Sequence, residues 1–197
     1  MISAGQMKQD SATHAVAKDF CRIFKQDMDR LYLLSFLLTA DRAMAEKCFV
    51  GGLEDSTRSP RVFQEWAQSW ARRMIVQNAI RMVRPRPGES PVPNQSVDRK
   101  TIVPTELSPV MELPAFERFV FVMSLLEHYS DQDCALLLDA TRSEVTAARI
   151  RALQLLGNSA ESQPASAPPA ADLGRQQLAD ELGGLLLTLV PRLVPSA

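Results

Sequence analysis

The chain has 197 residues, enough for one domain of ordinary size or two small ones. Hydrophobic residues make up 46% and charged residues 23% of the chain, which is typical of a soluble globular protein. The net charge of −1 excludes a protein that is basic throughout, such as a histone, although a basic face on one part of the chain stays open.

Apolar residues recur every three or four positions along most of the chain, which predicts an all-α fold. The first domain, residues 16–84, is predicted to contain three helices, over 16–38, 42–54 and 60–83. Asp41 is the expected N-cap of the second helix, because its carboxylate can accept a free backbone N–H. Gly51 and Gly52 weaken the case for continuing that helix, since glycine disfavours helix interiors.

The second half is predicted to be a helix-turn-helix domain, residues 113–157, which follows a proline-rich linker, residues 85–112. Six prolines in that linker argue against regular structure. The three predicted helices of the domain cover 115–129, the segment from the N-cap Ser130 to Leu138, and 143–156. A flexible linker, 158–172, leads to an amphipathic tail helix over 173–190, whose apolar stripe consists of Leu178, Leu182, Leu185, Leu186 and Leu189.

Cysteines and apolar stretches together predict a cytoplasmic protein. The three cysteines, Cys21, Cys48 and Cys134, are odd in number and far apart, which favours free thiols over disulfides or a zinc site. The longest apolar stretch, 183–190, is too short to span a bilayer, and the first twenty residues lack the apolar segment of a secretory signal. We therefore expect no membrane association, no metal and no cofactor.

Arginine is concentrated on the third predicted helix. Seven arginines and one acid, Glu65, lie between positions 58 and 86, so this helix and its exit carry a local excess of positive charge. Guanidinium groups suit bidentate contacts with phosphate, and we interpret these arginines as a surface for an anionic partner. A solvated basic face is the alternative. Trp66 and Trp70 share helical spacing with Phe63 and Met74, so we expect the two tryptophans in the core.

Three stretches of the chain resemble the extracytoplasmic-function sigma factors of bacterial RNA polymerase, which belong to the sigma-70 family. The segment LYLLSFLLTADRAMAEKCF is similar to the family's core-binding helical pair, and VFQEWAQSWARRMIVQNAIRMVR is similar to its promoter-melting helix. The segment LPAFERFVFVMSLLEHYSDQDCALLLDATRSEVTAARIRALQLL is similar to its C-terminal helix-turn-helix domain. The resemblance covers residues 18–84 and 113–156 and implies a region-2-like domain followed by a region-4-like domain.

This resemblance implies a transcription initiation factor that binds RNA polymerase core and promoter DNA. Its expected contacts with the polymerase core are Asp41, Arg42 and Glu46. The expected DNA contacts in the first domain are Arg72, Arg73, Asn78, Arg81 and Arg84. Those in the second domain are Arg142, Ser143, Thr146, Arg149 and Arg151. An anti-sigma factor would be a further partner of such a protein.

Departures from the family pattern keep an alternative open. Val50 and Gly51 stand where polar or acidic residues are expected, and Thr146, Ala147 and Ala148 replace basic residues of the last helix. The alternative is a degenerate sigma-like regulatory protein that binds a protein partner and has lost promoter recognition. An enzyme is not expected, because no carboxylate pair or nucleophile arrangement stands out.

The last predicted helix can pack in either of two registers, which differ in the residues that face the core. An ungapped alignment buries Arg149 beside Val145 and Ala152, and burying an unpaired charge is costly. A turn that is one residue longer buries Ile150 and Leu153 instead and lets Arg149 face outward. We expect the second register.

Overall fold

The computed structural model describes residues 14–58, 61–88 and 105–161, and it confirms the all-α prediction for these ranges. The α-helices are α1 Ala17–Gln26, α2 Met28–Thr39, α3 Arg42–Arg58, α4 Ala67–Val83, α5 Ala115–Phe121, α6 Asp131–Leu137 and α7 Arg142–Glu161. Two short 3-10 helices, Gln64–Trp66 and Thr105–Glu112, and a π-helical turn, Val122–Leu126, complete the set. Across these ranges extended backbone pairs at a single isolated bridge, between His14 and Phe63.

The first predicted helix is two helices in the structure. α1 ends at Gln26 and α2 begins at Met28, with Asp27 between them at φ −104° and ψ 23°. The Asp27 carboxylate accepts a hydrogen bond from Gln68 of α4 at 2.6 Å, so the break is tied to another helix. α2 is buried along most of its length, which suits a helix at the centre of the molecule.

The capping prediction for α3 is confirmed, and the helix extends to Arg58. The Asp41 carboxylate accepts a hydrogen bond from the backbone N–H of Met44 at 2.8 Å. α3 continues through Gly51 and Gly52 because both glycines lie against α4. A Cβ atom at Gly52 would come within 2.5 Å of the Ile75 Cδ1 atom, so the missing side chain is what allows the close approach.

The second half begins inside the predicted linker. Residues Thr105–Glu112 form a 3-10 helix that contains Pro109 and buries Val110 and Met111, so the prediction of an irregular segment is wrong here. Ser130 is the N-cap of α6, as predicted, and its hydroxyl accepts from the backbone N–H of Asp133 at 3.1 Å. The turn before α7 includes Asp139 at φ +50°, in the left-handed region.

One hydrophobic cluster includes buried residues from both halves of the chain, among them Leu38 of α2 and Phe116 of α5. A buried arginine, Arg118 of α5, joins the halves as well. Its guanidinium donates to the backbone carbonyl of Leu38 at 3.3 Å and to that of Leu113 at 3.0 Å. The two helical halves therefore pack directly against each other.

The predicted tail helix, 173–190, lies outside the described residues, as do residues 89–104 of the proline-rich linker. Residues 158–161, predicted to begin the second linker, extend α7 instead. Within the ranges that the structure describes, no helix combines the length and the apolar character needed to cross a bilayer.

Candidate nucleic-acid interface

Two large aromatic side chains stand exposed just before α4. Phe63 and Trp66 are 45% and 58% exposed, and their rings meet edge to face with centroids 5.4 Å apart. The imidazole of His14 stacks on the other side of this pair, 4.7 Å from the Phe63 ring. The expectation that Trp66 is a core residue is wrong, because the 3-10 turn Gln64–Trp66 offsets it from the helical spacing on which that expectation rests. Trp70 is half-buried.

These aromatic residues border a cleft of about 590 Å³ between the start of α4 and the loop that precedes α6. Its walls combine aromatic rings with positive charge, and we call it the aromatic-arginine cleft. Its main lining residues are Arg61, Phe63, Trp66, Trp70, Arg72, Arg73, His128 and Tyr129. An aromatic platform beside guanidinium groups is the combination that binds single-stranded nucleic acid, through base stacking and phosphate contacts.

Glu127 is, with Asp133, one of two acidic residues that line this cleft. Its carboxylate lies 3.6 Å from the guanidinium of Arg72 and is largely buried. Burial raises the pKa of Glu127, and the charges of Arg72 and His128 oppose that rise without cancelling it. Arg61 and Arg73, by contrast, form no ion pair with any residue that the structure describes. Positive charge thus remains available at the cleft.

Asp55 of α3 accepts hydrogen bonds from the second half of α4. The Asn78 amide donates to the Asp55 carboxylate at 3.0 Å and to the Met74 carbonyl at 2.8 Å, and the Arg81 guanidinium also donates to Asp55. Burial acts to raise the pKa of Asp55, but the hydrogen bonds from Arg81 and Asn78 outweigh it and leave the pKa lowered. Asn78 and Arg81 therefore serve the packing of two helices. Arg84, predicted with them, is exposed beyond the end of α4.

The predicted DNA contacts at the start of α7 are on the surface. Arg142 and Ser143 are exposed, and Thr146 is half-buried. The Arg142 guanidinium donates to the side-chain carbonyl of Gln132 in α6, and the Ser143 hydroxyl lies 3.0 Å from that of Thr141. These contacts lie between α6, the turn that follows it and the start of α7.

The two later arginines of α7 are engaged by acids from other helices. Arg149 makes a two-pronged ion pair with Asp131 of α6, with one of its N···O distances at 3.1 Å. Arg151 donates to the carboxylate of Glu117 in α5 at 2.9 Å, and the Glu117 side chain is only 6% exposed. Both guanidinium groups hold the second half of the chain together.

The preferred register of α7 is wrong, and the ungapped one is present. Val145 and Ala152 are fully buried, whereas Ile150 and Leu153 are 51% and 49% exposed. The preference assumed that Arg149 would be an unpaired buried charge. In the structure Arg149 pairs with the Asp131 carboxylate and its side chain stays 29% exposed, so its charge is neither unpaired nor fully buried.

The predicted polymerase contacts occupy the first turns of α3. Asp41 is engaged in capping the helix, while Arg42 and Glu46 pair with each other at 3.2 Å, with side chains 40% and 36% exposed. Neither contact tests whether these residues bind the polymerase core, so that binding stays a prediction.

Three members of the cleft, Glu127, His128 and Tyr129, were not singled out from the sequence as site residues. They come from the second half of the chain, so no local spacing connects them to α4. The sequence EHYSD, within the third stretch of the resemblance, is the signal that pointed nearest to them. No grouping of His, Cys, Asp and Glu side chains suited to a metal ion occurs in the described ranges.

Comparison with known proteins gives no further guide, because no family model, no curated protein and no solved structure matches the chain.

Proposed function

We propose that this protein is a sigma-like transcription initiation factor that binds single-stranded promoter DNA at the aromatic-arginine cleft. The observation that carries the proposal is the exposure of Phe63 and Trp66 beside two arginines, Arg61 and Arg73, that no described acid neutralises. A large exposed aromatic pair costs hydration free energy unless a ligand covers it, and an unstacked base is a ligand of matching shape. The partners of such a factor are RNA polymerase core, promoter DNA and an anti-sigma factor.

The test is binding of a fluorescent single-stranded oligonucleotide over a range of salt concentrations. Trp66→Ala should weaken binding by about 5- to 150-fold, because base stacking on an aromatic residue contributes about 1–3 kcal/mol. Arg73→Gln should reduce the salt dependence by about 0.7 in slope, as expected for one lost phosphate contact on a single strand.

Two exposed residues elsewhere provide matched controls. Leu136→Ala removes a side chain that is 69% exposed on α6, and Arg22→Gln removes one that is 59% exposed on α1. Both variants should bind the oligonucleotide as the wild type does. Equal affinity of wild type and Trp66→Ala would refute the proposal at this cleft.

Polymerase binding can be tested without disturbing α3. The double variant Arg42→Glu with Glu46→Arg keeps an ion pair one turn apart but exchanges the positions of the two charges. A glutamate placed before an arginine at this spacing favours a helix, so the fold should be retained. If these residues contact the polymerase core, the double variant should lose the core enzyme in a pull-down while keeping its oligonucleotide affinity.

The second candidate function is the degenerate sigma-like regulator that binds a protein partner. The ion pairs of Arg149 with Asp131 and of Arg151 with Glu117 favour it, because these guanidinium groups are committed within the chain and less available for duplex DNA. This candidate predicts that neither duplex nor single-stranded DNA binds, with or without polymerase core. Salt-dependent binding of either DNA would count against it.

A further inference from the structure

A second cavity shares part of its wall with the aromatic-arginine cleft and lies between α2, α4 and the end of the π-helical turn. Its volume is about 280 Å³, and we call it the leucine pocket. Its apolar lining consists of Leu31, Leu33, Leu34 and Leu37 of α2 and Leu126 of the π-helical turn. An apolar cavity where two packed parts of a chain meet is a common place for a small-molecule site.

The sequence of α2 builds one side of this pocket. Arg30, Leu33, Leu34 and Leu37 recur every three or four residues, so they share one face of the helix. Leu34 and Leu37 are buried, Leu33 is half-buried and Arg30 is exposed. This face of α2 therefore leads from an apolar interior to a charged rim.

Three charged side chains complete the lining of the pocket, those of Arg30, Arg72 and Glu127. Arg30 forms no ion pair with any residue that the structure describes. The Arg72 guanidinium lies 3.6 Å from the Glu127 carboxylate, longer than the distance of about 2.8 Å in a close charge-assisted hydrogen bond. Two guanidinium groups thus face one carboxylate, and the pocket has positive charge in excess.

The combination of leucines and guanidinium groups selects a class of ligand. A neutral apolar molecule would leave Arg30 without a counter-charge, and an inorganic anion would leave the leucines uncovered. A carboxylate matches a guanidinium in charge and in geometry, and an apolar group attached to it can cover the leucines. We propose that the leucine pocket binds a small monocarboxylate, with its apolar group against the leucines and its carboxylate paired with Arg30 and Arg72.

The volume of the pocket limits the size of the apolar group. A cavity of about 150 Å³ lined by similar side chains is large enough for benzene. The leucine pocket, at about 280 Å³, therefore accommodates one ring or a short alkyl chain together with the carboxylate. It is too small for the apolar face of a partner helix, which needs a groove along several helical turns.

The test is isothermal titration calorimetry of the full chain with phenylacetate, which has one ring and one carboxylate. Phenylacetamide keeps the shape but lacks the charge, and acetate keeps the charge but lacks the ring. Phenylacetate should bind saturably at one site per chain and at least about 10-fold more tightly than either related molecule, because each lacks one of the two interactions. No saturable binding of phenylacetate, or equal affinity for phenylacetamide, would overturn the proposal.

A pair of leucine variants places the ligand in this pocket. Leu126→Phe adds volume to the pocket lining and should weaken phenylacetate binding by about 5- to 150-fold, the range that corresponds to overpacking. Leu125→Phe is the matched control, because Leu125 is the preceding residue, is 38% exposed and does not line the pocket. Equal affinities of the two variants for phenylacetate would overturn the assignment to this pocket.

A pair of arginine variants tests the rim without altering the core. Arg30→Glu should weaken phenylacetate binding by at least about 5-fold, because it replaces an attractive charge with a repulsive one. Arg22→Glu makes the same change in net charge at a side chain that is 59% exposed on α1, and it should bind phenylacetate as the wild type does. Equal effects of the two variants would show that only net charge matters and would overturn the role of Arg30.

This inference does not depend on nucleic-acid binding. Neither Arg30 nor Leu126 lines the aromatic-arginine cleft, so their variants report on the leucine pocket alone. Failure of phenylacetate to bind would leave the oligonucleotide experiment unaffected, and failure of the oligonucleotide to bind would leave the calorimetry unaffected.

Discussion

Glu127 is an acidic residue of the aromatic-arginine cleft whose pKa is raised by burial. Its carboxylate is buried between the two halves of the chain and lies 3.6 Å from the Arg72 guanidinium. Burial raises its pKa despite that neighbour, which means that loss of hydration outweighs the attraction to the arginine. The folded protein thus favours the neutral form of Glu127 more than the unfolded chain does.

This preference predicts a pH-dependent effect of Glu127→Gln. The stabilising contribution of neutral Glu127 is fully present below its pKa in the unfolded chain and is lost as the pH rises through the higher pKa in the folded protein. Glutamine stays neutral throughout. The wild type should therefore lose stability relative to Glu127→Gln as the pH rises from about 4, near the pKa of an unperturbed glutamate, through the raised pKa of Glu127 in the folded protein. Urea unfolding of both proteins at each pH measures this difference.

A difference in unfolding free energy that stays constant over this range would contradict a raised pKa. A difference that moves in the opposite direction would show that the Arg72 ion pair dominates over burial. The comparison isolates Glu127, because the other titrating groups are common to both proteins.

At the scale of elements, the contact between α3 and α4 depends on a missing side chain. Gly52 sits inside α3 where a Cβ atom would meet the Ile75 side chain at 2.5 Å, and Ile75 is fully buried. Gly157 sits inside α7, where a Cβ atom would have no neighbour within 4 Å. The same substitution at these two helical glycines therefore separates packing from helix propensity.

Gly157→Ala should stabilise the protein by up to about 1 kcal/mol, since alanine is the better helix former. Gly52→Ala should destabilise it by about 1–2 kcal/mol net, because overpacking in a core costs about 1–3 kcal/mol and exceeds the propensity gain. Thermal or urea unfolding of the two variants provides the measurement. Stabilisation by Gly52→Ala would mean that α3 and α4 do not pack as closely as described.

How far the sequence predicts these elements depends on the range of the interaction that forms them. The helices follow from local periodicity, and the caps Asp41 and Ser130 follow from the side chains themselves. The register of α7 does not, because Asp131, which pairs with Arg149, is a distant partner that periodicity cannot reveal. At the break between α1 and α2, the Asp27 carboxylate likewise accepts a hydrogen bond from a residue distant in sequence, Gln68.

The same distinction between local and long-range interactions applies to the candidate site. Arg72 and Arg73 follow from local composition, since arginine is concentrated on that helix. The wall formed by Glu127 and Tyr129 requires the packing of one half of the chain against the other. Trp66 was predicted to be buried but is exposed, because the helical spacing behind the prediction does not hold through the 3-10 turn Gln64–Trp66.

At the scale of the whole molecule, the two helical halves behave as one packing unit across the described ranges. Buried residues of α2 and α5 belong to the same hydrophobic cluster. Arg118 spans the junction, with its guanidinium donating to two backbone carbonyls and its side chain almost fully buried. Those carbonyls, of Leu38 and Leu113, belong to different halves, so Arg118 satisfies acceptors on both sides of the junction.

This arrangement predicts one cooperative unfolding transition, with equal calorimetric and van't Hoff enthalpies. Arg118→Ala should lower the free energy of unfolding by about 1–3 kcal/mol, because it leaves buried carbonyls without their donor. It should also separate the transition into two, since the loss falls at the junction and leaves the interior of each half intact. Arg22→Ala is the control: it removes an exposed ion pair within α1 and should change stability by less than about 0.5 kcal/mol. Two transitions in the wild type, or a variant at Arg118 as stable and cooperative as the wild type, would contradict the coupling of the halves through this residue.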